Sequence, residues 1–465
     1  MQSMSFSTVS VAGLGKLGAV MAAVLADKGF TVVGVDLNPA AVDAINRGLA
    51  PVQEPMLSEY VSRNRERLSA TGDIEAAVRE SSVTFLIVPT PSGADGTFRL
   101  DYVLDVCRGI GRALRTKDSY HLVVVSSTVM PGHTENEVLP LLEEISGKKC
   151  GVDFGLCYNP EFIALGSVIR DMLNPDMMLI GESDKKAGDL LESIYRRVCD
   201  NQPPAARMSF VNAELTKISV NTYVTTKISY ANMLAAVCER LPGADVDVVT
   251  GAVGLDSRIG RKYLKGALSY GGPCFPRDNV AFAAMARRVG AEAVLAEATH
   301  KTNRLHTERL GEFVLNLLDG DATVGILGLS YKPGTGVVEE SPGIALARYL
   351  TERAVPVAVY DPLALPSAKG ELGDAVHYGG SAAEVIARSG VILVMTAWDE
   401  FRALTAADFA RHGARLVLID CWRLYQGKGF DATCTYLTLG AGNRPARTGL
   451  AASRASNSAQ EHAAG

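Results

Sequence analysis

The stretch GGPCFPRDN (Gly271–Asn279) holds a cysteine, Cys274, just after a glycine pair and four residues before an aspartate, Asp278. A thiol in that setting can be a small buried core group, a metal ligand or a nucleophile, and these nine residues leave the three open. Upstream, in AELTKISVNTY, Lys217 and Asn221 are four apart, so a helix presents both on one face. An ammonium and an amide so paired can steady negative charge on a reacting oxygen. The ordinary alternative for a helical lysine is a solvated surface position.

The N-terminal region carries a second kind of chemistry. The apolar run Val9–Ala12 leads into Gly13-Leu14-Gly15-Lys16-Leu17-Gly18, a G-x-G-x-x-G motif, and an alanine-rich helix over Ala19–Ala26 follows. The first glycine permits the turn, the second admits a pyrophosphate close to the backbone, and the third lets helix and strand pack. A second strand, Thr31–Val35, ends in Asp36, 18 residues after Gly18. A carboxylate there accepts hydrogen bonds from ribose hydroxyls and repels a 2′-phosphate, so NAD is expected over NADP. A glycine-rich turn with no ligand and a merely solvated Asp36 is the alternative. SSVTFLIVPTP and HLVVVSSTVMPG read as buried parallel strands. They set Thr90 and Thr128 at carboxyl ends, where α/β sheets bind ligands, although threonines there also serve as simple caps.

These groups need a frame to position them. Residues 212–241 have helical periodicity, with Asn212 as an N-cap and Pro242-Gly243 as the stop. A helix of that length spans domains or packs on a partner subunit. Beyond it the first region is echoed. ATVGILGLSYKPGT parallels STVSVAGLGKLG, AVPVAVYDP ends at Asp361 as the earlier strand ends at Asp36, and SGVILVMTAWDE and ARLVLIDCW repeat the later strands. The fold expected is α/β, with two Rossmann-like doubly wound domains joined by a long central helix. The second lacks the full glycine motif, so a nucleotide or other phosphate compound is expected there. The boundaries read as 1–205 for the NAD-binding domain and 206–310 for a central helical and dimerisation region with the cysteine loop. A C-terminal domain follows at 311–440, then a disordered tail at 441–465 with almost no apolar content.

Composition narrows the classes. The 465 residues suggest two or three domains, and 47% hydrophobic with 21% charged residues is ordinary for a globular protein. The net charge of −5, from 51 acidic and 46 basic residues without a basic run, argues against nucleic acid as a partner. No apolar run reaches the roughly 20 residues of a membrane span, and the first residues lack a signal-peptide pattern. The eight cysteines show no C-x-x-C and no zinc spacing, so neither a disulfide framework nor a metal site is expected, and a cytoplasmic enzyme is.

Taken in order, GLGKLG, YNPEF (158–162), AELTKISVNTY (213–223), RIGRKYLKGALSYGGPCFPRD (258–278), LGLSYKPGT (327–335) and IDCWR (419–423) resemble the UDP-glucose/GDP-mannose dehydrogenase family over about residues 8–440. That resemblance implies oxidation of the C6 alcohol of a nucleotide sugar to a carboxylate with two NAD⁺, most like UDP-glucose 6-dehydrogenase. It implies that Cys274 captures the intermediate aldehyde as a thiohemiacetal, later a thioester. By motif match Asp278 is the base that activates water, and Lys217 and Asn221 face the reacting oxygen. Glu161 is the acid/base glutamate, with Phe162 beside it, and Thr128 flanks the site. Leu14, Lys16, Leu17, Thr90 and Arg277 join the glycines and Asp36 at the cofactor. Tyr263, Lys265, Tyr270, Gly271, Lys332 and Arg423 match nucleotide-sugar positions. Arg258 matches an arginine contributed to the partner's site in a homodimer.

Three places depart from the pattern. Leu165 stands where the family usually has a glutamate, Glu339 where it has an arginine, and Pro273 and Arg277 alter the cysteine motif. If the first two positions normally interact, loss of one relaxes the need for the other. UDP-N-acetylglucosamine and GDP-mannose remain alternative substrates. A two-electron hydroxyacid dehydrogenase and a non-catalytic nucleotide-sugar binder are the readings outside this activity.

Overall fold

Valine-rich runs flanked by glycine, proline and asparagine make the strands of a computed structural model that describes residues 7–320, 322–410 and 416–442. The first eight are β1 (Thr8–Ala12), β2 (Thr31–Val35), β3 (Leu68–Thr71), β4 (Val83–Leu86), β5 (His121–Val125), β6 (Phe154–Tyr158), β7 (Met178–Glu182) and β8 (Ala205–Met208). They form one sheet in the order β3-β2-β1-β4-β5-β6-β7-β8, parallel except for the antiparallel β6–β7 pair. β4 and β5 are buried along their whole length, as strands covered on both faces must be. The polar groups that this buries are paired. Ser10 Oγ meets Ser81 Oγ at 2.9 Å and Thr84 Oγ1 at 2.7 Å, and Thr84 Oγ1 meets His121 Nε2 at 2.8 Å. Burial keeps His121 neutral by lowering its pKa to about 3.

The echo in the sequence is a second, wholly parallel sheet. Its strands are β9 (Val324–Leu327), β10 (Val357–Tyr360), β11 (His377–Tyr378), β12 (Val391–Val394), β13 (Val417–Asp420) and β14 (Thr435–Thr438), ordered β11-β10-β9-β12-β13-β14. Both sheets turn on the same device. Gly13 (φ 100°) donates to Val35 O at 2.7 Å, and Gly328 (φ 106°) donates to Tyr360 O at 2.8 Å. Leu14 N donates to Asp36 Oδ2 at 2.7 Å, and Leu329 N donates to Asp361 Oδ2 at 2.8 Å. Each turn then needs a second glycine under the first. A Cβ on Gly18 would lie 1.8 Å from Gly13 O, and one on Gly343 would lie 2.4 Å from Gly328 O.

The chain divides into two units. One holds the described residues up to Thr226 with Tyr270–Lys301 and Ser330–Ser341, and the other holds Lys227–Ser269, Thr302–Leu329 and the described residues from Pro342 on. The segment between the two glycines of the second turn, 330–341, thus belongs to the unit of the first sheet. The helix Phe210–Cys238 runs from one unit into the other. It begins two residues before the expected Asn212 cap, with Ser209 O accepting from Ala213 N at 3.1 Å. It closes three residues before Leu241, in a turn where Leu241 N donates to Cys238 O at 3.0 Å, because Pro242 disfavours helix at the residue before it. Of the apolar residues on this helix, Ile218 is buried, whereas Met233 and Val237 are exposed together with Val211, Leu215, Tyr223 and Tyr230. Among the described residues no helix is long and apolar enough to cross a membrane. Residues 443–465, most of the tail expected to be disordered, lie outside the described residues.

Gly18→Ala is expected to cost about 2 kcal/mol through overpacking against Gly13 O, seen as a lower melting temperature. Gly15→Ala, whose Cβ meets nothing within 4 Å, is expected to leave that temperature unchanged. Equal melting temperatures for the two variants would contradict this account of the turn.

Candidate active site

The cofactor end follows from the first turn. The helix Gly18–Asp27 has no side-chain cap on its N-terminus, and Gly15 and Lys16 beside it are exposed. Open space over Gly15, free helix amides and the Asp36 carboxylate at the end of β2 suit a dinucleotide: pyrophosphate over the glycine, ribose on the acid. Asp36 Oδ1 also accepts from Asn38 N at 2.8 Å, which fixes the carboxylate's direction. Thr90 and Thr128 follow β4 and β5, and Thr90 Oγ1 donates to Thr128 O at 2.7 Å. Arg277 joins them. Its Nη1 donates to Thr90 O at 3.2 Å, and its guanidinium lies 4.5 Å from the centre of the Phe98 ring.

The thiol sits at the start of another helix. Cys274 caps Phe275–Arg288, its carbonyl accepts from Asp278 N at 2.8 Å, and Pro276 occupies the first turn, where its missing N–H costs nothing. Of the eight cysteines, none of them in a disulfide among the described residues, Cys274 alone is exposed. Gly272 (φ 87°) lies so close to the Tyr331 ring that a Cβ would stand 2.6 Å from it, and its N–H donates to Glu339 O at 3.0 Å. The enclosing protein, then the Asp278 carboxylate, raise the thiol's pKa, while Lys217 and Arg277 pull it down. Glu339 adds to the upward push.

Lys217 and Asn221 point from one face of the Phe210–Cys238 helix at this cysteine helix. Asn221 Nδ2 donates to Asp278 Oδ2 at 2.6 Å, and both groups are buried. Asp278 Oδ1 has no hydrogen-bond partner among the described residues, though Arg277 Nε stands 3.6 Å from it. Lys217 Nζ donates to the main-chain carbonyl of Glu161 and lies 4.4 Å from the Phe162 ring centre. Burial lowers the ammonium's pKa, and Asp278, Cys274 and Glu161 oppose that shift. Burial raises the Glu161 carboxyl, whose Oε1 is 2.7 Å from Tyr195 Oη. The first unit therefore gathers Cys274, Lys217, Asn221, Asp278, Glu161, Phe162, Thr128, Tyr270, Gly271 and Lys332. Lys332 is half-buried, its pKa lowered by burial and supported by Asp171 and Glu54.

Arg258, Tyr263, Lys265 and Arg423 belong to the other unit. Arg258 is exposed and pairs with Asp256 at 2.6 Å. Tyr263 (φ 62°) and Lys265 are exposed. Arg423 (φ 56°) is half-buried with its side chain 6% exposed, and its guanidinium meets Asp245 Oδ1 at 2.7 Å, Asp247 Oδ2 at 3.3 Å and Leu439 O at 2.9 Å. Arg423 thus braces Asp245, the aspartate that caps the helix Val246–Val253.

Sequence models of the UDP-glucose/GDP-mannose dehydrogenase family match the chain in three parts: the NAD binding domain at 7–199, the central domain at 211–305 and the UDP binding domain at 325–427. The chain belongs to this family. UDP-glucose 6-dehydrogenase AglM of Haloferax volcanii is 37% identical over 400 residues, 85% of this chain and 92% of that protein. GDP-mannose 6-dehydrogenase of Azotobacter vinelandii is 37% identical over 357 residues, 76% of this chain and 80% of that protein. A solved UDP-glucose dehydrogenase from Pyrobaculum islandicum superposes with a TM-score of 0.84 at 36% identity, covering 95% of this chain and 99% of that one. The family match makes this a nucleotide-sugar 6-dehydrogenase-type oxidoreductase with NAD as cofactor.

Four supporting residues escaped the sequence reading. Glu214 Oε2 accepts from Gly132 N at 2.6 Å and its Oε1 from Thr134 N at 2.8 Å, which ties the loop after Thr128 to the helix of Lys217. An acid three residues before Lys217 on a largely apolar helix was the available signal. Glu54 accepts from Gly166 N at 3.0 Å and Val168 N at 3.1 Å and so holds the loop of Leu165. Leu165 itself packs on the core of the first sheet. Its loop adjoins the Glu339 loop, since a Cβ on Gly166 would lie 3.1 Å from Gly334 O. Asn159 and Tyr195 complete the set around Glu161.

Because burial raises the Glu161 pKa above its unfolded value, the folded state binds the extra proton between those two values, and stability falls as pH rises through that window. Glu161→Gln cannot ionise. It is expected to be more stable than the parent above the folded-state pKa and to lose that advantage below about pH 4, the unfolded glutamate range. Melting temperatures at pH 8 and pH 4 check this, and a gain confined to the acid side would reverse the sign.

Proposed function

We propose that this chain oxidises the C6 alcohol of UDP-glucose to the carboxylate, with Cys274 as covalent nucleophile. The observation that supports it is the cluster in which Asn221 holds the buried Asp278, and Lys217, bound to the Glu161 carbonyl, feels the charges of Asp278 and the exposed Cys274. UDP-glucose is preferred over GDP-mannose and UDP-N-acetylglucosamine for two reasons. The match to the UDP-glucose 6-dehydrogenase of H. volcanii spans more of both chains than the match to the GDP-mannose enzyme of A. vinelandii, and the C-terminal segment matches a UDP binding domain.

Bound NAD supplies the hydride acceptor at each of two oxidation levels. The rest is work for this chain's residues. Lys217 and Asn221 stabilise negative charge that develops on the C6 oxygen as the alcohol yields its hydroxyl proton to Asp278, which passes it to solvent, and becomes an aldehyde. The Cys274 sulfur then bonds to the aldehyde carbon as its C=O π bond opens, and the thiol's proton ends on the former carbonyl oxygen, giving a thiohemiacetal. Loss of the remaining C6 hydride leaves a thioester. Asp278 takes a proton from water as that water attacks the thioester carbonyl. The C–S bond breaks, and the carboxylate and the thiol are released.

The same reading makes the protein a homodimer through the Phe210–Cys238 helix. Its exposed residues Val211, Leu215, Tyr223, Tyr230, Met233 and Val237 recur at near-helical spacing along a single helix. Arg258, exposed and tethered by its side chain to Asp256 alone among the described residues, would serve the partner's sugar site.

Cys274→Ala is expected to abolish acid formation from UDP-glucose while NAD and nucleotide-sugar binding stay nearly intact. A rate within tenfold of the parent, about 1.4 kcal/mol in barrier, would remove Cys274 from the nucleophile's role. Mixing Arg258→Ala and Cys274→Ala proteins under subunit exchange is expected to restore activity that neither has alone. A monomer by light scattering at micromolar concentration with full turnover would defeat the shared-site arrangement.

A further inference from the structure

Two acceptors, the buried Asn159 and the half-buried Glu161, compete for the one hydrogen of the buried Tyr195 hydroxyl beside the reacting centre. Tyr195 Oη is 2.6 Å from Asn159 Oδ1 and 2.7 Å from Glu161 Oε1. A phenol has a single hydrogen to donate. The orientation of Asn159 is settled on its other side, where Nδ2 donates to Leu179 O at 2.9 Å, the carbonyl of a β7 residue. A flipped amide would set two oxygens against each other there. Asn159 Oδ1 is therefore an acceptor aimed at Tyr195, and it is only 2% exposed, so leaving it unpaired is costly. If Tyr195 gives its hydrogen to Asn159, the short contact with Glu161 needs a hydrogen on the carboxyl.

We propose that Asn159, acting through the Tyr195 hydroxyl, holds Glu161 as a neutral acid that carries its own proton in the resting enzyme. Asn159 and Tyr195 are then positioning residues for that proton. The inference rests on the reading of Glu161 as the acid/base group of the site. An ionised Glu161 would have to draw the Tyr195 hydrogen from Asn159 and leave a buried carbonyl unsatisfied. Other surroundings act in both directions. Burial favours the neutral carboxyl, and the Lys217 ammonium opposes it. The Cys199 thiol, pushed up to about 11, adds no charge near neutrality, and burial raises the Tyr195 phenol well above its ordinary value.

The test is an infrared pH titration of the full chain that follows the carbonyl stretch of protonated Glu161, assigned by its loss in Glu161→Gln. Asn159→Leu frees the hydroxyl to donate to the carboxylate, and the Glu161 midpoint is expected to fall by at least one pH unit, tenfold in proton affinity. In a Tyr195→Phe background the same substitution is expected to leave the midpoint where Tyr195→Phe alone puts it. Asn159→Ala, which adds no bulk to the strand end, serves if the leucine variant fails to fold. An unmoved midpoint in Asn159→Leu, or an equal shift with and without the Tyr195 hydroxyl, overturns the relay. The kcat–pH profile of Glu161→Gln tests the underlying reading separately. A profile like the parent's overturns the acid/base role and the inference with it. A lost limb that Asn159→Leu fails to move overturns the relay alone.

Discussion

The buried hydrogen bond from Asn221 Nδ2 to Asp278 Oδ2, 2.6 Å long, fixes the site's geometry. Asn221 lies one turn along from Lys217, and Asp278 lies one turn along from Cys274. One bond therefore sets the register between the helix that brings the cation and the helix that brings the thiol. A carboxylate that is 1% exposed cannot be left with few partners unless neighbouring charge compensates for its lost hydration. Lys217 and Arg277 provide that charge, and both are themselves anchored, Lys217 on Glu161 O and Arg277 on Thr90 O and the Phe98 ring. The anchors trace back to β4 and to the strand end after β6. The sheet thus positions the cations, the cations stabilise Asp278, and Asp278 with Asn221 aligns the nucleophile's helix.

The second sheet shows how the same turn is put to another use. Its glycines Gly328 and Gly343 and its aspartate Asp361 reproduce the close packing around Gly13, Gly18 and Asp36. Four residues separate the first pair of glycines and fourteen the second. The extra residues carry Tyr331 and Lys332 into the unit that holds Cys274. Conserving the packing glycines while lengthening the loop between them turns a phosphate-binding turn into an arm that closes one wall of the cysteine's surroundings.

Much of this was legible in the sequence because it depends on local patterns. Apolar runs gave the strands, glycine spacing gave the turn, and a spacing of four put Lys217 and Asn221 together. The family resemblance, not residue spacing, named the roles. What stayed hidden depends on distant partners. Nothing near Tyr195 distinguishes it from any aromatic residue on an amphipathic helix, and only the fold brings its hydroxyl to Asn159 and Glu161. The intramolecular partners of Arg423 stayed hidden for the same reason. Its motif suggested a ligand contact, but Asp245, far away in sequence, takes both of its Nη1 hydrogen bonds. The helix ends shifted by two and three residues because Ser209 and Pro242 act through backbone geometry that periodicity does not register.

The shifts at Cys274 and Lys217 run toward each other. Enclosure raises the thiol and lowers the ammonium, so desolvation favours the neutral form of both, while their mutual attraction favours the charged pair. When opposing terms act on two neighbouring groups, a third charge decides where the proton rests. Asp278 supports the ammonium and opposes the thiolate, and Glu339, in a loop joined to Gly272 by a backbone hydrogen bond, also opposes the thiolate. Arg277 does the reverse on both counts. A neutral Glu161 withdraws one of the anions that sustain Lys217 and leaves Asp278 as the carboxylate that holds the ammonium. On the proposed chemistry, such a resting site keeps the nucleophile protonated and little reactive until substrate and cofactor alter the local charge. The glutamate at position 339 reinforces that restraint where the family's usual arginine would relax it.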